Sequence, residues 1–303
     1  MSLTVGILGY MSEKTLPDLL DSIPAALAGV ADWHLVIVDG ASPDATVEVA
    51  RRLAPAATIV ELGANRGFAA AANAVIESDS AAEAVLLLSP TVRLRPGCVK
   101  VMLDALDQPG VGIAVPRLFR GNGRPHPSLR RRPTLLRAAA EALLGGTATR
   151  RFAPLSELIA DPAGYTSQTR ADWATGAVTL VSRECLKQVG PWDETFFLYS
   201  EETDYELRAA DAGFRLAFAD VNVVHLGGES RVRPELWALL RANRVRLYAM
   251  RHSPAPATLF WAVILLGDIL RALPRRTPIH RAAIEKLLRE RQALVAGQPA
   301  RVP

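Results

Sequence analysis

Three carboxylates fall within four residues at Glu201, Glu202 and Asp204. Acids this close repel one another, and a carboxylate whose pKa is lifted by a like neighbour can act as a general base on a hydroxyl. The same triplet suits the first turn of a helix, where the dipole favours each acid by roughly 0.3–1 kcal/mol. Asp204 is also spaced to pair with Arg208. Other polar residues stand at the ends of apolar runs. Asp39 closes Leu35–Val38 and meets Gly40. Its carboxylate could accept from a nucleobase imide or a ribose hydroxyl, or simply cap a turn. His225 closes Val221–Val224 before Gly227 and Gly228. An imidazole there could ligate a metal, touch a phosphate, or serve structure alone. Asn65-Arg66-Gly67 precedes an alanine-rich stretch whose helical N-terminus would favour an anion. The glycine-rich phosphate cradles of dinucleotide dehydrogenases and P-loop NTPases are absent.

These residues need elements to position them. Leu3–Leu8, Leu35–Val38, Thr58–Val60, Val85–Leu88 and Val111–Val115 read as short buried strands. Between them lie helical patterns: Leu16, Leu19, Leu20, Ile23 and Leu27; a segment started by Ser42-Pro43-Asp44; Gly67–Glu77; and a helix from Pro96 to about Asp107. Such alternation predicts an α/β fold with a mostly parallel sheet covered by helices on both faces. Ligands of such sheets bind beyond the carboxyl ends of the strands, which marks Gly9-Tyr10, Asp39-Gly40 and Ser89-Pro90-Thr91. Arg117 to Arg137 holds seven arginines and no acid, and reads as a mobile basic loop; residues 145–170 are also loop-like. Strand pattern returns at Val178–Val181, followed by a short helix to Val189, an acidic helix from about Glu201 to Ala212, and two short strands at Leu216–Phe218 and Val221–His225. The chain after Pro234 reads as helical.

The 303 residues, half of them apolar, suffice for one large α/β domain with a helical appendage. The division expected is 1–230, in halves 1–116 and 117–230, and then a basic helical region 231–303. Cys98 and Cys185 lie in no metal or disulfide pattern, which fits a reducing cytoplasm. No signal peptide pattern opens the sequence. The longest apolar run, Ala257–Gly267, falls short of the ~20 residues a bilayer span needs. The net charge of +4 hides an asymmetry: fourteen Lys/Arg against four Asp/Glu from Arg231 onward, a balance of +10, leave −6 for the rest. A basic tail beside an acidic body suits an anionic surface, lipid or nucleic acid; a solvated arginine-rich helix pair is the plain alternative. Leu259, Phe260, Val263, Leu266, Ile269 and Leu270 could form an apolar face, with Arg271, Arg275 and Arg276 near lipid phosphates; packing on the catalytic domain or across a dimer is equally open.

In order and spacing, Gly9-Tyr10, Val38-Asp39-Gly40-Ala41-Ser42, Asn65-Arg66-Gly67-Phe68-Ala69 and Leu87-Leu88-Ser89-Pro90-Thr91 resemble the family-2 glycosyltransferases, rhamnosyltransferase-like branch. Asp172-Trp173-Ala174-Thr175-Gly176-Ala177, Val189–Glu194, Phe196–Tyr199, Glu201–Asp204 and Val224–Gly228 extend the resemblance, which covers roughly residues 3–230. It implies a GT-A fold and a single inverting displacement from a nucleotide-activated sugar. On that resemblance Asp39 reads the nucleobase, and Gly9 and Tyr10 flank it. Asn65, Gly67, Ser89 and Thr91 complete the donor side. Glu202 is the base beside Glu201 and Asp204, Trp173 and Gly176 lie on the acceptor side, and His225 is a metal-side histidine. The expected partners are a dTDP- or UDP-sugar donor, rhamnose first; a glycan, glycolipid or secondary-metabolite acceptor; an anionic membrane surface but no nucleic acid; and a homodimer. The family's strand-end acid, often Asn-Pro-Asp, is Ser89-Pro90-Thr91 here, so a Mg²⁺ or Mn²⁺ ion loses its carboxylate ligand. Arginines of the 117–137 stretch could neutralise the leaving diphosphate instead. Glu202 replaces the usual Asp, Met11 the usual Asn after Tyr10, and Gly40 the usual Asn after Asp39. Two rivals remain: an impaired homologue that binds nucleotide or a partner without transfer, and a nucleotidyltransferase, whose basic Gly-rich motif Gly6–Glu13 lacks.

Overall fold

The structure, a computed structural model, describes residues 2–161, 165–227, 233–275 and 277–302, with the backbone alone at 274 and 275. Gly228, Arg276 and the expected boundary at 230/231 lie outside the described residues, as does the side chain of Arg275.

The apolar runs of the first half form β1 (Leu3–Gly9), α1 (Leu16–Ala26), β2 (Trp33–Asp39), α2 (Thr46–Leu53), β3 (Thr58–Glu61), α3 (Gly67–Ser78) and β4 (Ala84–Leu88). Their strands are parallel in the order β3-β2-β1-β4, and the register sets Gly9 opposite Asp39 at the carboxyl ends. Next come β5 (Val92–Arg93), α4 (Cys98–Leu106), β6 (Val111–Arg120), β7 (Pro125–His126), β8 (Leu129–Arg130), α5 (Leu135–Leu144), α6 (Gly146–Thr149) and β9 (Trp173–Ala174). Then follow β10 (Val178–Ser182), α7 (Arg183–Val189), α8 (Glu201–Asp211) and β11 (Arg215–His225). β10 inserts antiparallel between β4 and β6, β11 runs parallel to β6, and β5 closes the far edge antiparallel to β11. The α/β sheet is thus parallel in its first half and mixed as a whole. Because both faces are covered, adjacent residues such as Leu86 and Leu87 are both fully buried, each worth about 1.5–3 kcal/mol. One face packs on α1 and α4 through Leu19, Ile23, Val99 and Met102. The other packs on α3 and α8 through Ala72, Val75 and Tyr205.

Four expectations need correction. Ser42 does not cap a helix: its N–H and hydroxyl both turn back to the Asp39 carboxylate, and α2 starts only at Thr46. The 117–137 stretch is not a mobile loop. β6 runs on to Arg120, a turn at 121–123 returns the chain to β7, β8 pairs with β9, and Thr134 caps α5 by accepting from Arg137 N. The two strands of 216–225 are one, β11, with a register shift between Ala219 and Asn222. The fourth correction concerns the long apolar helix near the C-terminus.

That region folds into α9 (Pro234–Met250), α10 (Pro254–Arg275), α11 (Pro278–Arg289) and α12 (Arg291–Val295). By length and composition, Pro254–Leu273 could cross a membrane, with 20 residues at a mean hydropathy of 1.6. It continues past Gly267 because Asp268, fully buried, pairs with Arg241 at 2.9 Å and with His280 at 2.7 Å. The expected apolar face is divided. Phe260 lies in the helical core, whereas Leu259, Leu266, Ile269 and Leu270 are exposed. Arg271 bonds to the carbonyls of Gly267 and Glu141. Much of the basic tail is spent on the acidic body: Arg244 on Glu141 and Glu157, Arg246 on Asp193, Arg251 on Asp211. Asn243 donates to the carbonyls of Leu198 and Tyr199, tying α9 to the segment that leads into α8.

Candidate functional site

All four non-glycine residues with left-handed backbone among the described residues lie at the strand-end loops or at the start of α8: Met11, Ala41, Tyr199 and Ser200. Such conformations cost roughly 1–2 kcal/mol each and persist where surroundings impose them. Gly40 N donates to Gly9 O, Met11 N to Ser42 Oγ, and Ser12 N to Thr46 Oγ1. This knot gathers Gly9, Tyr10, Asp39 and Asn65: a Cβ on Gly40 would lie 3.7 Å from both Asn65 Oδ1 and Tyr10 Cδ2. Tyr10 is exposed, free to lie against a planar ligand, whereas Asp39 is buried. Asp39 accepts from Ser42 Oγ at 2.5 Å and Ser42 N at 2.9 Å, which aims the carboxylate and leaves each oxygen a second lone pair.

Asn65 Oδ1 accepts from Gly67 N, and Gly67 takes φ +87°. A side chain at 67 would run into the backbone of Phe197, 2.7 Å from its C and 2.9 Å from its Cα. Phe68 N donates to Phe197 O, and Asn73 clasps Trp192 by donating to its O and accepting from its N. The donor-side loop and the segment entering α8 are therefore in direct contact.

Glu201 and Glu202 open α8, next to the left-handed pair Tyr199-Ser200. Burial and the adjacent Glu202 push Glu201 well above the usual carboxylate range. Burial also raises Glu202, but Arg130 and a hydrogen bond from Glu201 favour its charged form. Of the two, Glu201 is raised further and keeps its proton to higher pH. Glu202 Oε2 is buried without a hydrogen-bond partner, an acceptor left unmatched within the chain. Glu202 lines a cavity of about 270 Å³ with His126, Arg130, Trp173, Thr175, Tyr199 and Arg244 among its walls. Gly176 backs the base: a Cβ there would sit 3.4 Å from Glu202 Cβ. Trp173 is fixed by its Nε1 donating to Arg131 O.

Asp204 does not join the pair. It is buried against Arg208 at 2.8 Å, and Arg208 continues to the carbonyls of Val189 and Pro191. Two residues on from Glu202, and so on a different side of the helix, it staples α8 to the preceding loop. Glu206, which the sequence reading passed over, is four residues after Glu202 and so on its helix face. Burial first, then the Glu202 charge, raises it well above the carboxylate range, and its Oε2 accepts from Ala174 N at 2.5 Å. The helical spacing was its only signal. His126 and Arg130 were also missed as individuals, because strands of two residues carry no periodicity.

His225 stacks on His126, ring centroids 5.7 Å apart at 8°. Burial, His126 and Arg120 hold His225 down to about 4, and burial with Arg120 and Arg130 lowers His126, so both rings are neutral at working pH. Thr91 is beside His225: Leu226 N donates to Thr91 O, and Ser89 Oγ and Thr91 Oγ1 share a hydrogen bond of 2.8 Å. The donors at this strand end are two imidazoles and two hydroxyls. Mg²⁺ and Mn²⁺ favour carboxylate, carbonyl and water oxygens, so the set does not fit a firmly held hard cation. Among the described residues no group of three or more His, Cys, Asp or Glu could hold a metal.

The sequence model of the family described as glycosyl transferase family 2 matches residues 4–166. The chain is 27% identical over 289 residues, 90% of its length and 92% of the relative's, to the N-acetylglucosaminyl-diphospho-decaprenol L-rhamnosyltransferase of Mycobacterium tuberculosis. Its fold is similar to that of the mannosyltransferase PcManGT from Pyrobaculum calidifontis, solved with GDP-Man and Mn²⁺: TM-score 0.57, 19% identity, 96% of this chain and 80% of that one. It is also similar to S. aureus TarS 1-349 in complex with UDP, with TM-score 0.54, 15% identity, and 96% and 91% coverage. At such identities the two structures speak for the fold alone.

Proposed function

Because this chain belongs to glycosyl transferase family 2, we propose that it moves a sugar, rhamnose first, from a dTDP- or UDP-linked donor to a hydroxyl of a glycan, glycolipid or secondary-metabolite acceptor, with inversion. The chain is a glycosyltransferase of the GT-A fold. The observation that carries the mechanism is Glu202: a carboxylate raised by burial, with an unpartnered oxygen, on the wall of a cavity that Trp173 flanks. In this reading Glu202 takes the proton of the acceptor hydroxyl. The hydroxyl oxygen forms a bond to the anomeric carbon, the bond from that carbon to the diphosphate oxygen breaks, and its electron pair leaves with the nucleoside diphosphate. Glu201 is raised further, which leaves Glu202 the acid of the pair that ionises first. Asp39, Gly9, Tyr10, Asn65, Gly67, Ser89 and Thr91 form the donor side, and Trp173 and Gly176 the acceptor side. The relative from Mycobacterium tuberculosis supports rhamnose as the sugar and a diphosphate-linked lipid as the acceptor class. PcManGT was solved with Mn²⁺; here His225, Ser89 and Thr91 are poor ligands for such an ion, and turnover is expected to survive EDTA.

Turnover of dTDP-, UDP- and GDP-sugars with Mg²⁺, Mn²⁺ or EDTA tests this reading. Transfer from dTDP-rhamnose supports it. A wild-type chain that binds nucleotide but transfers from no donor favours the impaired homologue, with Thr91 as the cause.

A place at the cytoplasmic face of a membrane goes with such an acceptor. Leu136 and Leu143 of α5 and Leu266, Leu270 and Leu273 of α10 are exposed apolar side chains on two helices packed together. Co-sedimentation with anionic vesicles at low salt supports membrane docking; no binding, with a mass that doubles on concentration, assigns the leucines to a homodimer.

A further inference from the structure

Arg130 is a cation of the site with no hydrogen-bonded counter-ion among the described residues. Its backbone is fixed three ways: paired with Trp173 across β8 and β9, bridged to Leu158, and accepting from Asp172 N. Its guanidinium lies over the ring of its own cross-strand partner Trp173, 5.0 Å from the centroid, within the range where an aromatic face attracts a cation. Yet among the described residues its side chain makes no hydrogen bond or salt bridge, and its Nε is buried without a partner. Arg244 lines the same cavity, but its terminal nitrogens are taken by Glu141 at 2.9 Å and Glu157 at 2.6 Å. A rigid guanidinium with free donors on a cavity wall fits an oxyanion that it can grip with two N–H groups.

The surroundings match. Arg130, Arg120, His126 and His225 form a belt that runs from the cavity towards Thr91 at the end of β4. Arg130 lines the cavity with His126, His126 stacks on His225, and His225 is the register partner of Arg120, so two arginines bring positive charge to the two imidazoles. That local positive potential arises where the strand-end carboxylate is missing, and a carboxylate would have offset it. Glu202 lines the same cavity as Arg130.

We propose that Arg130, held by Trp173, is the diphosphate-binding residue of this enzyme and does so without a metal. The inference rests on the glycosyltransferase reading. The diphosphate has two candidate sources, both next to the reacting hydroxyl: the nucleoside diphosphate that departs from the donor, or the diphosphate of a lipid-linked acceptor. In the first case Arg130 stabilises the charge that grows on the leaving oxygen; in the second it anchors the acceptor so that its sugar hydroxyl reaches Glu202.

The test is calorimetric binding to the wild-type chain, Arg130→Ala and Arg130→Lys, each with EDTA and with Mn²⁺, after thermal melting shows the variants folded. Inorganic pyrophosphate probes the shared chemistry, dTDP against dTMP the donor source, and geranyl diphosphate against geraniol the acceptor source. The expected result is pyrophosphate binding in EDTA that weakens about ten- to a hundred-fold in Arg130→Ala, with partial recovery in Arg130→Lys. A parallel loss for dTDP but not dTMP assigns Arg130 to the leaving group, and a loss for geranyl diphosphate assigns it to the acceptor. Pyrophosphate affinity equal in wild type and a folded Arg130→Ala would overturn the proposal and leave Arg130 as the countercharge of Glu202 alone. Binding seen only with Mn²⁺ would overturn its metal-free part. A wild-type chain that binds pyrophosphate through Arg130 but no nucleotide would sink the donor reading while leaving this site standing.

Discussion

Gly67→Ala is the perturbation that best separates the donor loop's role in binding from its role in catalysis. Gly67 has φ +87°, and its added methyl would lie 2.7 Å from Phe197 C and 2.9 Å from Phe197 Cα, with the carbonyl oxygen closer still. Ordinary contact begins near 3.4 Å, so the backbone at 197 must retreat by roughly 1 Å, a displacement that can cost about a hundred-fold in rate when it reaches a catalytic group. It does reach one: Phe197 precedes Tyr199 and Ser200, whose left-handed backbone sets the start of α8 and hence Glu202. The left-handed conformation adds about 1–2 kcal/mol for alanine and the overpacking about 1–3, so the loss of stability should be ~2–5 kcal/mol. Urea unfolding measures that loss. Steady-state kinetics beside nucleotide titration should show kcat falling about a hundred-fold while dTDP affinity changes by less than about three-fold. A variant with wild-type kcat would refute the claim that the Asn65-Arg66-Gly67 loop positions the base through Phe197.

Glu206→Gln should stabilise the chain at alkaline pH. A carboxyl whose folded pKa is raised contributes stability that is present below its unfolded pKa and lost as pH rises through the folded one. A neutral amide that still accepts from Ala174 N escapes that loss. Its melting temperature should exceed wild type at about pH 8 and converge with it near pH 4; the reverse order would contradict the assignment. Glu141 has the opposite sign. Arg244 holds it down to about 2, so its contribution is complete above the ordinary carboxylate range and disappears as pH falls through about 2. Glu141→Gln should flatten the acid limb of the stability curve over that window; an acid limb as steep as wild type counts against the pairing. Asp268→Ala leaves Arg241 and His280 buried beside an absent charge, and chemical denaturation should show a loss of about 3–5 kcal/mol. A loss below about 1 kcal/mol would mean that the C-terminal helices pack without this hub.

The first half of the fold was legible because its signals are local. Four-residue apolar runs such as Val85–Leu88 and Leu35–Val38 have no competing pattern, and Asp39 and Ser89 end them visibly. The Ser42-Pro43-Asp44 motif misled because a capping residue has no way to announce a stronger acceptor nearby, and Asp39 took its hydrogen bonds. The 117–137 stretch hid its order for a different reason. β7 and β8 are two residues each, β7 turned back on the end of β6 and β8 held by a partner over forty residues away, so no periodicity could reveal His126 or Arg130. Glu201, Glu202 and Asp204 were equivalent acids in the sequence; the helical rotation of two residues turns Asp204 away from Glu202 and onto Arg208 one turn later. The charge asymmetry was real, but tertiary pairing uses much of it inside the molecule, as where Arg244 of the tail meets Glu141 and Glu157 of the body.

The most direct test of the account is Glu202→Gln, which keeps shape and removes the base. Measured with dTDP-rhamnose and a lipid-diphosphate acceptor, kcat should fall by about 10²-fold or more while donor affinity stays near wild type and the melting temperature is not lowered. A Glu202→Gln enzyme that turns over at the wild-type rate would contradict the assignment of Glu202 as the group that takes the acceptor's proton.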